Sequence, residues 1–160
     1  MLFHCVRHPR KLILVGYWVG PEAPGYPDPS RFVDPFWSPA EKERVIGYLT
    51  SGVPFLHYCG FSWCRFHCGE THMGTTELTD GRYYWPEGLA HYLEKHGIRL
   101  PRAFLDHVRK RRRIDPDRVR RRVGREPGAL NTELDWEAAS IQWSARDCVS
   151  ESPNRMVLRV

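Results

Sequence analysis

The chain has 160 residues, 41% of them apolar and 27% charged, which suits one ordinary globular domain and excludes a disordered or collagen-like chain. No stretch approaches the roughly 20 consecutive apolar residues of a membrane-spanning helix. Five cysteines, an odd count with no secretion signal to accompany it, argue against a disulfide framework. The net charge of +5 is uneven: residues 107–126 carry ten Lys/Arg against three acids, so the remainder sums to −2.

Near the start, Leu12 to Val19 is a short apolar run with an aromatic end. It lacks a small-x-small cleavage site and runs into Pro21-Glu22, so it is expected to be a buried strand rather than a signal segment, and the chain to be cytoplasmic. Gly20 to Pro39 is proline-rich and predicts a loop pinned by Phe32, Phe36 and Trp37. Ser38-Pro39-Ala40-Glu41 has the form of a helix start with a capping box. Val45, Ile46 and Leu49 give that helix its apolar face, and Gly52 ends it.

Val53 to Cys59 reads as a strand. Asp80-Gly81 is a tight-turn signal between Glu77-Leu78-Thr79 and Arg82-Tyr83-Tyr84-Trp85, which predicts a hairpin. Pro86 is expected to open a helix with Leu89, Tyr92 and Leu93 inward and Gly97 closing it, and Glu87 to meet its dipole. Pro101 opens a third helix with Phe104, Leu105 and Val108 inward, and Asp115-Pro116 a fourth, arginine-covered one. Beyond Pro127 a helix over Thr132 to Ile141 and a strand over Arg155 to Val160 are expected. The fold class is therefore α+β, a small mixed or antiparallel sheet with about three packing helices. Residues 1–113 form the core domain and 114–160 a basic C-terminal extension expected to pack on it.

The chemistry concentrates between His57 and His72. That run holds six borderline or soft ligands in sixteen residues: His57, Cys59, Cys64, His67, Cys68 and His72. Zinc favours four such ligands in a tetrahedron. His57 and Cys59 share one strand face, while Cys64 and Cys68 are neighbours on a helical turn. His72 lies about 12 Å from Cys64 along a continuous helix, too far for one ion, but Gly69 offers a break that folds it back. The expected metal set is Cys64, Cys68, His72 and one of Cys59 or His57, with zinc the leading ion. Competing readings are a Cys59 that is only a small core hydrophobe, a Cys64–Cys68 redox pair, and a Cys68 nucleophile paired with His72 or His67 and assisted by Arg65. His91 and His96, five apart, do not share a regular helix face and are not expected to be a ligand pair, although His91 has a subsidiary role beside the cluster open to it.

The basic run of Arg109, Lys110, Arg112, Arg113, Arg120 and Arg121 fits either a phosphate backbone or an acidic partner. Aromatic residues are not interleaved with it, so base stacking is not supported there. The twenty arginines against four lysines reflect codon bias as readily as nucleic-acid binding.

The run from Leu78-Thr79-Asp80-Gly81 through Trp85-Pro86-Glu87-Gly88-Leu89-Ala90-His91-Tyr92, then His96-Gly97-Ile98-Arg99-Leu100-Pro101 and Phe104, resembles a module of small bacterial proteins of unassigned function. The likeness extends upstream to Gly60-Phe61-Ser62 and Cys64-Arg65 and covers roughly residues 55–108. It implies a bacterial origin and a compact α+β unit, without an activity. No P-loop, dinucleotide fingerprint, G-x-S-x-G or H-E-x-x-H is present. The leading expectation is a metal-stabilised binding, accessory or immunity-type protein acting through protein contacts. The alternatives are a nucleic-acid-binding regulator and a metal- or thiol-dependent enzyme using Cys64 and Cys68.

Overall fold

A computed structural model describes residues 12–21, 23–123 and 158–159. The expected helix at 132–141 lies outside them. The chain is α+β as expected: a mixed sheet in the order β2-β3-β4-β1-β5, with helices packed against it. The strands are β1 (Ile13–Leu14), β2 (Val53–His57), β3 (Thr76–Thr79), β4 (Tyr83–Pro86) and β5 (Leu158–Arg159). Between them lie α1 (Pro39–Thr50), α2 (Leu89–His96), α3 (Arg102–Arg111) and α4 (Pro116–Val123). The β3–β4 hairpin and the β2–β3 pair are antiparallel, β1 runs parallel to β4, and β5 runs antiparallel to β1.

The helical side of the sheet is an aromatic core. Trp85, Leu89, Leu93 and Phe104 are fully buried, and Tyr83 nearly so. Tyr83 and Trp85, alternate residues of β4, both meet Phe104 of α3 edge-on, at 5.0 and 5.9 Å between ring centroids. Trp85 also donates its indole N–H to the Leu49 carbonyl of α1 at 3.2 Å. Each large side chain removed from water in this way stabilises the fold by about 1.5–3 kcal/mol. The apolar stripes read for α2 and α3 are the buried ones.

Local chemistry departs from the sequence reading in several places. The apolar run after Leu12 is buried at Leu14, Val15 and Trp18, but only Ile13–Leu14 pairs as a strand. Gly16, with φ of +78°, takes the chain out of extended geometry there. In the proline-rich loop Phe32 and Trp37 pack inward as expected, whereas Phe36 is 94% exposed. Ser38 makes no side-chain cap on α1. The Glu41 carboxylate instead accepts the Trp37 indole N–H at 2.9 Å and pairs with Arg109 of α3. Pro86 ends β4 instead of opening α2, and Glu87 accepts the Thr75 N–H at 3.2 Å, across from the hairpin. From the expected extension, Val119 of α4 is fully buried and Ile114 packs on the core.

The hairpin turn is built around Asp80. Its fully buried carboxylate accepts the backbone N–H groups of Arg82 and Tyr83 at 2.7 and 2.8 Å, the Tyr48 hydroxyl of α1 at 2.7 Å, and lies 2.6 Å from His107 Nε2 of α3. Burial alone raises a carboxyl pKa. Here the bonds from His107, Tyr48 and the two N–H groups outweigh it and hold the group down at about 2. Asp80→Ala, which strands these donors in the interior, is expected to lower stability by about 3 kcal/mol in urea unfolding at neutral pH. The depressed pKa has a signed consequence, since its stabilisation is complete above the ordinary carboxylate range and fades as pH drops through about 2. The stability gap between wild type and Asp80→Asn should therefore shrink by about 2 kcal/mol on acidification from about pH 4 to pH 2.

Candidate metal centre

Between β2 and β3 the chain makes a long excursion, residues 58–75, without a helix or strand of its own. It doubles back on itself through backbone hydrogen bonds. Tyr58 N–H bonds Thr75 O at 2.8 Å, Ser62 N–H bonds Gly74 O at 3.1 Å, Met73 N–H bonds Ser62 O at 3.0 Å and Cys64 N–H bonds Glu70 O at 2.9 Å. At its tip His67 N–H reaches Cys64 O at 3.1 Å, and His67 takes a left-handed φ of +52°. A bulky residue holds that conformation at a cost and only where its surroundings impose it. The tip is thus a tight knuckle, not the helical turn expected, and it presents Cys64 and Cys68 on one side.

That side faces α2. Gly88, ahead of the helix, lets the excursion come close: a Cβ there would lie 2.6 Å from Met73 Cβ and 2.7 Å from Met73 O. Tyr92 of α2, buried between Trp18, Phe66 and His96, accepts the Arg65 N–H on its hydroxyl at 2.9 Å. Burial pushes that phenol up to about 12, so it remains neutral.

The side chains of Cys64, Cys68, His91 and His96 converge, one ligand atom from each, all within 4.8 Å of one another. Cys64 Sγ lies 3.2 Å from His96 Nε2, Cys68 Sγ 3.4 Å from His91 Nε2, and the two Nε2 atoms 3.3 Å apart. These separations resemble the edges of a metal tetrahedron. With Zn–N of about 2.05 Å and Zn–S of about 2.3 Å, an N–N edge is about 3.3 Å and an N–S edge about 3.5 Å. The N–H groups of Phe66 and Cys68 point at the Cys64 sulfur and favour its thiolate. Burial acts more strongly and pushes the thiol upward, and the neighbouring Cys68 adds to that. His96 is pushed down, first by burial and then by His91, which keeps its ring in the neutral, ligating form. Phe66 stacks on the His96 ring, 4.2 Å between centroids and 14° between planes, and fixes its direction.

Two of the five expected ligands, Cys64 and Cys68, belong to this group, and three do not. Cys59 is an exposed free thiol. His57 ends β2 with its Nδ1 3.2 Å from Thr76 Oγ1. His72 packs on Phe61 at 4.8 Å, with Nδ1 2.9 Å from Thr71 Oγ1. Gly69 does not fold His72 back, because the knuckle turns the chain toward α2 instead. Cys64 and Cys68 are both free thiols, not a disulfide. His67, read as a candidate base, packs on Trp63 at 5.3 Å.

His91 and His96 complete the group, against the expectation that they do not pair. The regular wheel, 100° per residue, separates them. However, α2 ends in a wider turn: Gly97, with φ of +64°, donates its N–H to Tyr92 O, five residues back instead of four. A turn closed at that spacing brings residues five apart round to one side. The readable signal was H-x4-H, within the H-x3-5-H spacing of zinc sites, following a C-x3-C pair. The whole β3–β4 hairpin separates the pairs, so the spacing in sequence hides their proximity.

No protein-family model, no curated protein and no solved structure matches this chain. The functional reading therefore stands on the side chains themselves.

The basic segment is partly committed within the fold. Arg109 pairs with Glu41 and, at 2.8 Å, with Asp106. Arg111 lies 3.8 Å from Asp80, and Arg120 3.4 Å from Asp117. Lys110, Arg112, Arg113 and Arg121 are exposed. Among the described residues no helix is long and apolar enough to cross a membrane.

Thiol accessibility gives a direct check on this geometry. Cys59 and Cys68 are exposed while Cys64 is 1% exposed. In chelator-treated protein, alkylation followed by peptide mass spectrometry should label Cys59 and Cys68 first and Cys64 at least about tenfold more slowly. Equal rates at Cys59 and Cys64 contradict the placement of the knuckle.

Proposed function

We propose that this protein is a zinc-stabilised binding protein, in which Cys64, Cys68, His91 and His96 hold one Zn2+ in a closed tetrahedral site. The observation that carries this reading is the convergence of two sulfurs and two imidazole nitrogens within 4.8 Å. Those groups offer each other little. Two Nε2 atoms 3.3 Å apart cannot both donate into the gap, and a buried thiol and a neutral imidazole leave lone pairs directed at one point. A divalent cation answers this arrangement and deprotonates the thiols outright.

Four protein ligands complete the preferred coordination of zinc, so no position is left for a reacting water. The role that fits is structural: the ion joins a loop lacking secondary structure to α2. The same excursion displays Phe61, 60% exposed, and Tyr58, 54% exposed. Aromatic side chains held out by an ordered loop suit contact with a protein partner. This supports an accessory or immunity-type role over turnover.

Elemental analysis of protein purified without added metal should find close to one zinc per chain. His91→Ala and His96→Ala should each lose most of it, whereas Cys59→Ser, His57→Ala and His72→Ala should retain it. Less than about a fifth of an equivalent of any transition metal in the wild type overturns the site. So does retention of full metal by the His91 and His96 variants. Reconstitution with Co2+ adds a spectroscopic check, since a tetrahedral thiolate site gives intense visible absorption bands.

A further inference from the structure

The sheet has a second side, away from the α1 and α3 core. Glu77 of β3 lies there, 8% exposed. Tyr17 donates its hydroxyl to the Glu77 carboxylate, and Tyr17 packs on Tyr26 and on Tyr84, 5.7 Å between centroids in each case. Beside this layer a cavity of about 660 Å3 opens between residues 16–21 and 23–26 on one side and the 58–75 excursion on the other. Tyr17, Tyr26, Trp63, Arg65, Glu77 and Tyr92 line it. Its size falls within the roughly 300–1,000 Å3 typical of small-molecule sites.

Two charged side chains of opposite sign share that wall without pairing with each other. Among the described residues Glu77 has one side-chain hydrogen bond, from Tyr17. The Arg65 guanidinium lies over the Trp63 ring at 3.9 Å and donates to the Trp63 carbonyl at 3.2 Å. Among the described residues no carboxylate lies within ion-pair distance of it. Gly20 leaves the space that the guanidinium occupies, since a Cβ there would come within 3.3 Å of Arg65 Nη2. A buried carboxyl with one donor, facing aromatic rings, is a ready receptor for an ammonium group. A guanidinium with a stacked plane and no carboxylate partner among the described residues is a receptor for a carboxylate.

We propose that this cavity binds a small zwitterion, an α-amino acid with an apolar side chain. Its ammonium is held by Glu77 and the Tyr17 and Tyr26 rings, and its carboxylate by Arg65. The site is separate from the four metal ligands, and its test reads ligand binding, not metal content.

Titration behaviour is consistent with this. Burial pushes Glu77 up to about 7, so its carboxyl is part-protonated near neutrality. Tyr17, Tyr26, Tyr58 and Tyr84, which surround it, are all pushed upward by burial and remain neutral. Binding of an ammonium therefore requires Glu77 to release its proton, and affinity should fall as pH drops below about 7, approaching tenfold per unit.

Calorimetry with three probes of one carbon skeleton, phenylalanine, phenethylamine and 3-phenylpropionate, tests the proposal at pH 8 on the full chain. Phenylalanine should bind at least about tenfold more tightly than either half. Glu77→Gln should weaken phenylalanine and phenethylamine by about tenfold or more and leave 3-phenylpropionate unchanged, and Arg65→Gln should do the reverse. A thermal-shift screen of the twenty amino acids keeps the idea testable if the phenylalanine side chain is the wrong shape. No shift with any of them at millimolar concentration overturns the proposal, as does phenethylamine binding as tightly as phenylalanine. An unchanged circular-dichroism spectrum for each variant separates loss of the site from loss of the fold.

Discussion

A charge taken fully out of water has to be met by donors, and Asp80 shows how much structure that demand can organise. Its four hydrogen-bond partners come from the hairpin, from α1 and from α3. Satisfying one carboxylate therefore fixes the turn between β3 and β4 and sets both helices against it. The aromatic faces of Tyr83, Trp85 and Phe104 then meet at fixed distances. Apolar burial supplies most of the stabilisation here, but it is non-directional, whereas the carboxylate selects one arrangement of the three elements. Glu77, on the same hairpin, is the counter-example. It is nearly as buried, yet among the described residues its one side-chain partner is Tyr17, and its pKa moves the other way. The two carboxylates differ in the number of donors that meet each among the described residues.

The excursion from 58 to 75 depends on this framework without being part of it. A loop of that length has few local means of holding one shape, and loops longer than about 12–15 residues without secondary structure are usually functional or disordered. Its own backbone bonds form a narrow ladder. Its attachment to the body rests on Tyr92, on the close approach at Gly88, and on the meeting of two cysteines with two histidines. All three connections involve α2 or the residue that leads into it. The hairpin held by Asp80 delivers α2, so the buried carboxylate and the ligand cluster are successive steps in one chain of support.

What could be read from the sequence follows from how local each signal is. The Asp80-Gly81 hairpin and the inward faces of α2 and α3 were legible because short-range pattern and burial agree there. The capping box at Ser38 failed because Glu41 has stronger long-range partners in Trp37 and Arg109 than the helix start offers. Phe36 was expected to pack, but with Phe32 and Trp37 both buried from the same loop it remains outside. The candidate site was half legible. Cys64 and Cys68 were found by their spacing, while His57, Cys59 and His72 were drawn in by proximity along the chain. His91 and His96 were set aside on an ideal helical wheel that the last turn of α2 does not follow. Local density of ligands in sequence is a weaker guide than an H-x4-H pair one supersecondary unit away, because metal sites commonly join separate elements.

Arg65 links the two sites. Its neighbour Cys64 is in the cluster, its N–H is held by Tyr92, and its guanidinium lines the cavity that Glu77 faces. A group that fixes the knuckle also fixes where that guanidinium can go. Ordering Arg65 before a ligand arrives removes part of the entropy that binding otherwise costs. Were the proposed ion and the proposed cavity ligand both bound, thermodynamic linkage would make the effect mutual. The contacts that carry such coupling are short and identifiable, the Arg65–Tyr92 hydrogen bond and the stacking of Phe66 on His96. Both lie between the knuckle and α2, so a substitution at Phe66 disturbs that junction without changing Cys64, Cys68, His91, His96 or a residue that lines the cavity.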